Sequence, residues 1–282
     1  MLLKISEDRR PLYLAWIRFK KNRLGVVGGC LVLFFVVLGL AAPLIPQPKI
    51  SLADRLQPPS LYHPFGTDNV GRDLLVMSVQ GATLSLKVGL LAVLFSTILG
   101  VVIGAISGYL GGGVDSVLMR MTDLMLTMPS IILVIVAVSM FKIRSVDLVI
   151  LVFTVFGWPR LARIVRGEFL SLRERPYVSA SRIFGASTFD LVFKHMLPNA
   201  ISSITTVSTL NFSTFIVAEA SLSFLGFGDP YAISWGTILA AGRAYLQAAW
   251  WISTLPGLVL FISALGFNLL GEGLRDVLAT VE

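Results

Sequence analysis

Hydrophobic residues in this chain come in long runs rather than in alternation. The first run, LGVVGGCLVLFFVVLGLAAPLI, covers residues 24–45. Five more follow, at about 82–110, 116–141, 146–166, 200–228 and 253–274. About 20 apolar residues in a helix cross the hydrocarbon core of a bilayer, so each run predicts one spanning helix. Lys87 interrupts the second near its start, and Pro129 lies inside the third. The fourth runs only from about Val146 to Trp158 before its apolar pattern weakens. It gains length by continuing through Pro159, with Leu161, Ala162, Ile164 and Val165 prolonging the pattern. Arg160, Arg163 and Arg166 then share one helical side, from which they snorkel to the interface. The expected fold class is all-α: a polytopic membrane protein with six transmembrane helices.

The polar stretches between the runs complete the layout. Residues 1–23 form a basic leader, 46–81 an external loop, and 82–282 a transmembrane core with a cytoplasmic loop at 167–199. The 22-residue first run exceeds the apolar region of a cleaved signal peptide, which is about 7–15 residues, so it reads as an uncleaved anchor. With six spans and a cytoplasmic N-terminus, sixteen Lys and Arg fall inside and six outside. Positive residues concentrate on the cytoplasmic side of membrane proteins. Both termini and the basic insert are therefore expected in the cytoplasm.

Composition narrows the class further. The chain has 282 residues, 55% hydrophobic and 14% charged, against about 25% charged in soluble domains. Lipid is thus the expected solvent for much of its surface. The net charge of +7 follows membrane topology and does not indicate a nucleic-acid partner. One cysteine, Cys30, excludes an internal disulfide. His63 and His195 are the two histidines, and neither has metal-ligand spacing. No metal site and no catalytic residue is expected.

The unusual stretch is PYVSASRIFGASTFDLVFKHMLPNA, residues 176–200. Pro176 suits a first helical turn, and Gly185 a stop. Ser187 is an N-cap candidate with Asp190 three residues on. Phe189, Val192, Phe193, Met196 and Leu197 recur at helical spacing and predict one apolar face. Asp190, Lys194 and His195 take the other side, and Pro198 is expected to end the helix just before the fifth span. Spacing alone allows a helix lying on the membrane surface or a knob gripped by a cytoplasmic partner.

This stretch resembles the coupling loop of ABC importer permeases, whose pattern is E-A-A, three residues, G, about nine residues, then I-x-L-P. Ala180 matches the first alanine, Gly185 the glycine, and Leu197 and Pro198 the end; Ser179 and Ser181 stand where the pattern has glutamate and its second alanine. LAWIRFKKNRLGVVG, HPFGTDNVGRDLL (63–75), EASLSFLGFGDPYAISWG (219–236) and PGLVLFISALGFNLLGEGLRD (256–276) are similar to blocks of the dipeptide, oligopeptide and nickel branch, in the same order. The resemblance implies a type I importer permease with cytoplasmic coupling helices. It implies ATPase coupling by Ser179, Ala180, Ser181, Arg182, Gly185, Ala186, Phe189, Leu197 and Pro198. The implied partners are a second related permease, two ATP-binding cassette subunits, an external solute-binding protein and membrane lipid. ATP and magnesium belong to the ATPases, since this chain has no GxxxxGK[ST] loop and is expected to bind no cofactor. Di- or oligopeptides are the implied cargo, with nickel, glutathione or oligosaccharides as alternatives. An ion-coupled secondary transporter is the more distant alternative, and Glu219 alone supports it.

Other candidates follow from the residues themselves. Gly100, Gly104 and Gly108 form GxxxGxxxG, a smooth face for helix packing, either within the chain or against a second permease. Glu219 is a carboxyl inside the fifth span, with Ser221 and Ser223 nearby. It either contacts the pathway or makes a buried hydrogen bond at the permease interface. Arg120 and Asp123 are spaced to pair on one helix. Asp68, Arg72 and Asp73 either hold the external loop's fold or meet the solute-binding protein.

Overall fold

A computed structural model describes residues 17–279. The leading basic residues Lys4, Arg9 and Arg10 lie outside the described residues. Helices α1 (Arg23–Ala41), α2 (Leu74–Leu110), α3 (Gly112–Thr127), α4 (Ser130–Ser139), α5 (Val146–Gly157) and α6 (Pro159–Arg173) come first. They are followed by α7 (Pro176–Ile183), α8 (Thr188–Phe224), α9 (Trp235–Gly242) and α10 (Trp251–Ala279). Among the described residues, the β pairing is one isolated bridge, Thr67 to Asp73. Among the described residues, five helical units are long and apolar enough to cross a membrane, and six if α3 and α4 count as one span.

Of three prolines expected in or beside spans, one breaks its helix and two are absorbed. Pro159 is absorbed, and Val146–Arg173 forms one span of 28 residues. Pro129 breaks its span: α3 and α4 meet at 88°. A residue before proline is pushed out of helical geometry, and Met128 is extended at φ −94, ψ 139. The run 116–141 is therefore two helices, not a straight one. Pro198 does not end a helix. The chain is continuously helical from Thr188 to Phe224, through a π-helical segment at Leu191–Met196. In α geometry the proline ring strikes the carbonyl four residues back; the wider π turn relieves this by bonding Leu197 N–H to the Val192 carbonyl.

Helix α2 is the central element, touching α1, α5, α6, α8 and α9. Its buried residues are largely small: Gly81, Ser85, Gly89, Ser96, Gly100, Gly104 and Gly108. The GxxxGxxxG stripe packs within the chain, against α6. A Cβ on Gly104 would lie 2.5 Å from the Ala162 carbonyl oxygen and 2.8 Å from Val165 Cβ. On Gly108 it would lie 2.6 Å from Phe169 Cβ. A second close contact joins α1 to α10, where Gly25 faces Gly273.

Apolar side chains fill the rest. Val88, Phe153, Phe215 and Leu222 form a core between α2, α5 and α8. Trp235 of α9 is fully buried against Phe35, Ile216 and Phe267, and its indole N–H donates to the Ser78 carbonyl at 2.8 Å. The loop before α2 closes over Leu74, Met77 and Trp251 with Leu56 and Phe65. Outward, α2 presents Leu90, Leu94, Ile98 and Val102, and α1 presents Leu33, Phe34 and Leu40, all exposed. Such a surface suits lipid or another apolar subunit.

Gly104→Leu should force α2 and α6 apart and destabilise the protein by about 1–3 kcal/mol, as overpacking does. Gly113→Ala should be close to neutral, since nothing lies within 4 Å of its Cβ position. Melting temperatures of the two variants in detergent would separate a packing face from a mere small-residue run; equal melting would refute the packing role.

Candidate functional site

Helices α7 and α8 form a hairpin beyond one end of the bundle. Arg175 is extended, as the residue before a proline should be, and Pro176 opens α7. The turn at Gly185 closes α7. Gly185 N–H bonds the Arg182 carbonyl, Ala186 N–H bonds the Ser181 carbonyl, and Gly185 has φ +84. This is a Schellman closure, and it places glycine in the left-handed region, where a side chain is strained. Ser187 then caps α8: its hydroxyl accepts from Asp190 N–H at 3.1 Å and donates to the Asp190 carboxylate at 2.5 Å. Asp190 also pairs with Lys194.

The apolar face of this second arm differs from the expected one. Leu191 and Met196, five residues apart, are buried against Phe169, Leu172 and Val178. Phe189 and Phe193 face outward and stack on each other at 4.4 Å. A π turn advances more residues per revolution than an α turn, so positions i and i+5 share a side. The α spacing that grouped Phe189 and Phe193 on one face with Met196 therefore does not hold here. Val192 and Leu197 remain partly buried, as expected. Pro198 is exposed on the continuous helix.

Beyond this core the hairpin tip is uncovered. Ser179, Ala180, Arg182 and Gly185 are exposed, while Ser181 and Ala186 are half-buried. Ile183 is 84% and Phe184 90% exposed, an unusual state for large apolar side chains. Neither was among the expected coupling residues. A readable signal existed: two large apolar residues sit directly before a glycine stop, where no further turn can cover them.

Ion pairs bind the hairpin's root to the bundle. After glycines at φ +68 and +57, α3 folds back alongside α6. The Arg166 guanidinium makes two hydrogen bonds to Asp115, each at 2.5 Å, and the Ser107 hydroxyl also donates to Asp115. Arg163 takes Asp123, also at 2.5 Å. The expected pairing of Arg120 with Asp123 is thus replaced by one across helices. Arg163 and Arg166 are held by acids rather than snorkelling free. On α8, the Ser203 hydroxyl donates to Glu168 of α6 at 2.6 Å.

Glu219 is 3% exposed and accepts from Ser223 at 2.8 Å and Ser85 at 3.3 Å. Its hydrogen bonds stay within the chain and join α8 to α2. Ser221 turns away and donates to the Val217 carbonyl. In the loop before α2, buried Asp68 accepts from Val70 N–H, Arg72 N–H and the Arg72 side chain at 2.7–2.9 Å. Asp73 caps α2 through Leu75 and Val76 N–H and meets His63 Nδ1 at 2.8 Å. All three residues hold the loop and the start of α2. Among the described residues, no group of three or more His, Cys, Asp or Glu is placed to hold a metal.

Residues 100–280 match the family described as binding-protein-dependent transport system inner membrane components. The chain belongs to this family of ABC transport permeases. Residues 10–59 match the N-terminal transmembrane domain of oligopeptide transport permease C. The oligopeptide transport system permease protein OppC of Bacillus subtilis is 38% identical over 98% of this chain and 92% of its own length. A putative peptide transport permease of Brucella abortus is 42% identical over 96% of this chain and 92% of its own. In structure, a chain of the inward-facing MetNI methionine ABC transporter superposes with TM-score 0.60 at 20% identity, covering 74% of this chain and 98% of that one. The fold is that of type I importer permeases, and the protein is a multi-pass component of the inner membrane.

Asp115→Asn should leave Arg166 half-paired in a partly buried setting and lower stability by about 1–3 kcal/mol. Asp123→Asn, in a half-exposed pair, should cost about 1 kcal/mol or less. Detergent unfolding of both checks this, and an equal loss would contradict the difference in burial.

Proposed function

We propose that this chain is one of two related permease subunits of an ATP-driven importer for di- or oligopeptides. The α7–α8 hairpin is the part gripped by an ATPase. The observation that carries this reading is the uncovered apolar tip, Ile183, Phe184 and the stacked Phe189–Phe193 pair, on a hairpin whose second arm is continuous with a spanning helix. Apolar side chains outside the lipid-facing bundle are costly unless a partner covers them. The peptide-transport names of its relatives support the cargo class. The distribution of Lys and Arg supports a cytoplasmic position for the hairpin and both termini. The opposite end, with α9 and the loop before α2, then faces the solute-binding protein.

The geometry explains how force would travel. A displacement of the tip moves α8 as one rigid rod past Pro198. The buried side chains of the hairpin core carry it to α6. The glycine stripe passes it to α2, and Arg163 and Arg166 pass it to α3. This chain does no phosphate chemistry; ATP and magnesium are used by the ATPase subunits. The permease responds by exposing its path to alternate sides.

Phe184→Glu should leave membrane insertion intact and cut copurification of the ATPases and peptide uptake by tenfold or more, the size of a central contact residue. Gly185→Trp, forced at φ +84, should do the same. Wild-type uptake in both would sink the coupling assignment.

A further inference from the structure

One cavity in the bundle carries polar groups that the coupling mechanism does not use. It measures about 230 Å³ and lies where α3 breaks from α4, against α5, α6 and α8. Arg160, exposed on the helix Val146–Arg173, borders it. Unlike Arg163 and Arg166, Arg160 makes no ion pair with a described residue. Asn211 of α8 also lines the cavity; it is 8% exposed and bonds no other described side chain or backbone group. The third polar element is the start of α4. Ser130 and Ile131 line the cavity, and Pro129 supplies no side-chain cap to the helix.

These three features call for the same ligand chemistry. A guanidinium without an ion-pair partner at the edge of a cavity is suited to bind an anion through two parallel hydrogen bonds. An uncapped helix start offers unbonded N–H groups and a partial positive charge. A carboxamide that opens onto the cavity and has no partner among the described residues offers both a donor and an acceptor to a ligand. No acidic side chain lines the cavity. Its walls are aromatic, with Phe153, Phe156 and Phe215. A cavity of this volume is smaller than the roughly 300–1,000 Å³ of pockets that enclose whole drug-sized ligands, so it admits the end of a chain.

We propose that this cavity receives the C-terminal carboxylate of a peptide in transit. Arg160 supplies the counter-charge, and Asn211 and the α4 start supply hydrogen bonds. This rests on the peptide-importer reading above. Recognition of the terminus alone leaves the peptide's side chains free, as a permease serving many sequences needs. A single cation also keeps the site weak enough to release its ligand.

The test uses the complete complex, with partner permease, ATPases and binding protein, in proteoliposomes. Trialanine and trialaninamide are supplied, each at a concentration saturating the binding protein, and the ratio of their uptake is read. Wild type should favour the acid by about tenfold, the size of one lost charge-assisted contact. Arg160→Gln should bring the ratio close to one. Asn211→Asp, nearly isosteric, should drive it below one by placing a like charge at the site. Copurified ATPases confirm that each variant is assembled, and either variant alone decides. A wild-type ratio of one, or an assembled variant that keeps the wild-type ratio, overturns the site. If wild type takes up neither peptide, the importer reading itself fails, and the inference falls with it.

Discussion

The close approach of α2 to α6 is the constraint on which the rest depends. Between helices in lipid there is little hydrophobic gain, because lipid tails are as apolar as side chains. Contact must come from surfaces that fit. Gly100, Gly104 and Gly108 let the α6 backbone settle directly on α2, with room for no side chain at Gly104 or Gly108. That contact sets the position of α6. The position of α6 then places Arg163 and Arg166 opposite the acids of α3, and turns Arg160 toward the break between α3 and α4.

The hairpin extends the same rods past the bundle. Its first arm follows α6 after a short turn, and its second is α8 itself. Leu191 and Met196 seat it on Phe169, Leu172 and Val178. A hinge at Pro198 would absorb a push at the tip. The π segment instead keeps the helix unbroken, so the tip and the spanning part of α8 move together. The break at Pro129 has the opposite consequence. It leaves a helix start beside a cation and a carboxamide that have no partner among the described residues.

Much of this was legible from residue order. The apolar runs announced the spans, and the basic insert announced a structure between two of them. Gly185 and Ser187 announced the turn and cap of the hairpin, because those signals act over only a few residues. Legibility failed where neighbours in space decided. Pro129, Pro159 and Pro198 are alike in sequence, yet one breaks its helix and two are absorbed. Helical spacing put Phe189 and Phe193 on one face with Met196 because it assumed an α turn. Asp123 was assigned to Arg120, three residues earlier on its own helix, but Arg163 lies across from it.

The sequence by itself determined that this is a helical membrane protein, how many apolar runs it has, where its hairpin turns and which family it joins. Those properties depend on local composition and short-range spacing. Only the tertiary structure decided that the glycine stripe faces α6, that Glu219 is satisfied by serines of its own chain, and that Ile183, Phe184 and the stacked phenylalanines stand uncovered. Spacing tells which side of a helix a residue occupies. What stands opposite that side depends on how helices distant in sequence pack, and no local pattern encodes it.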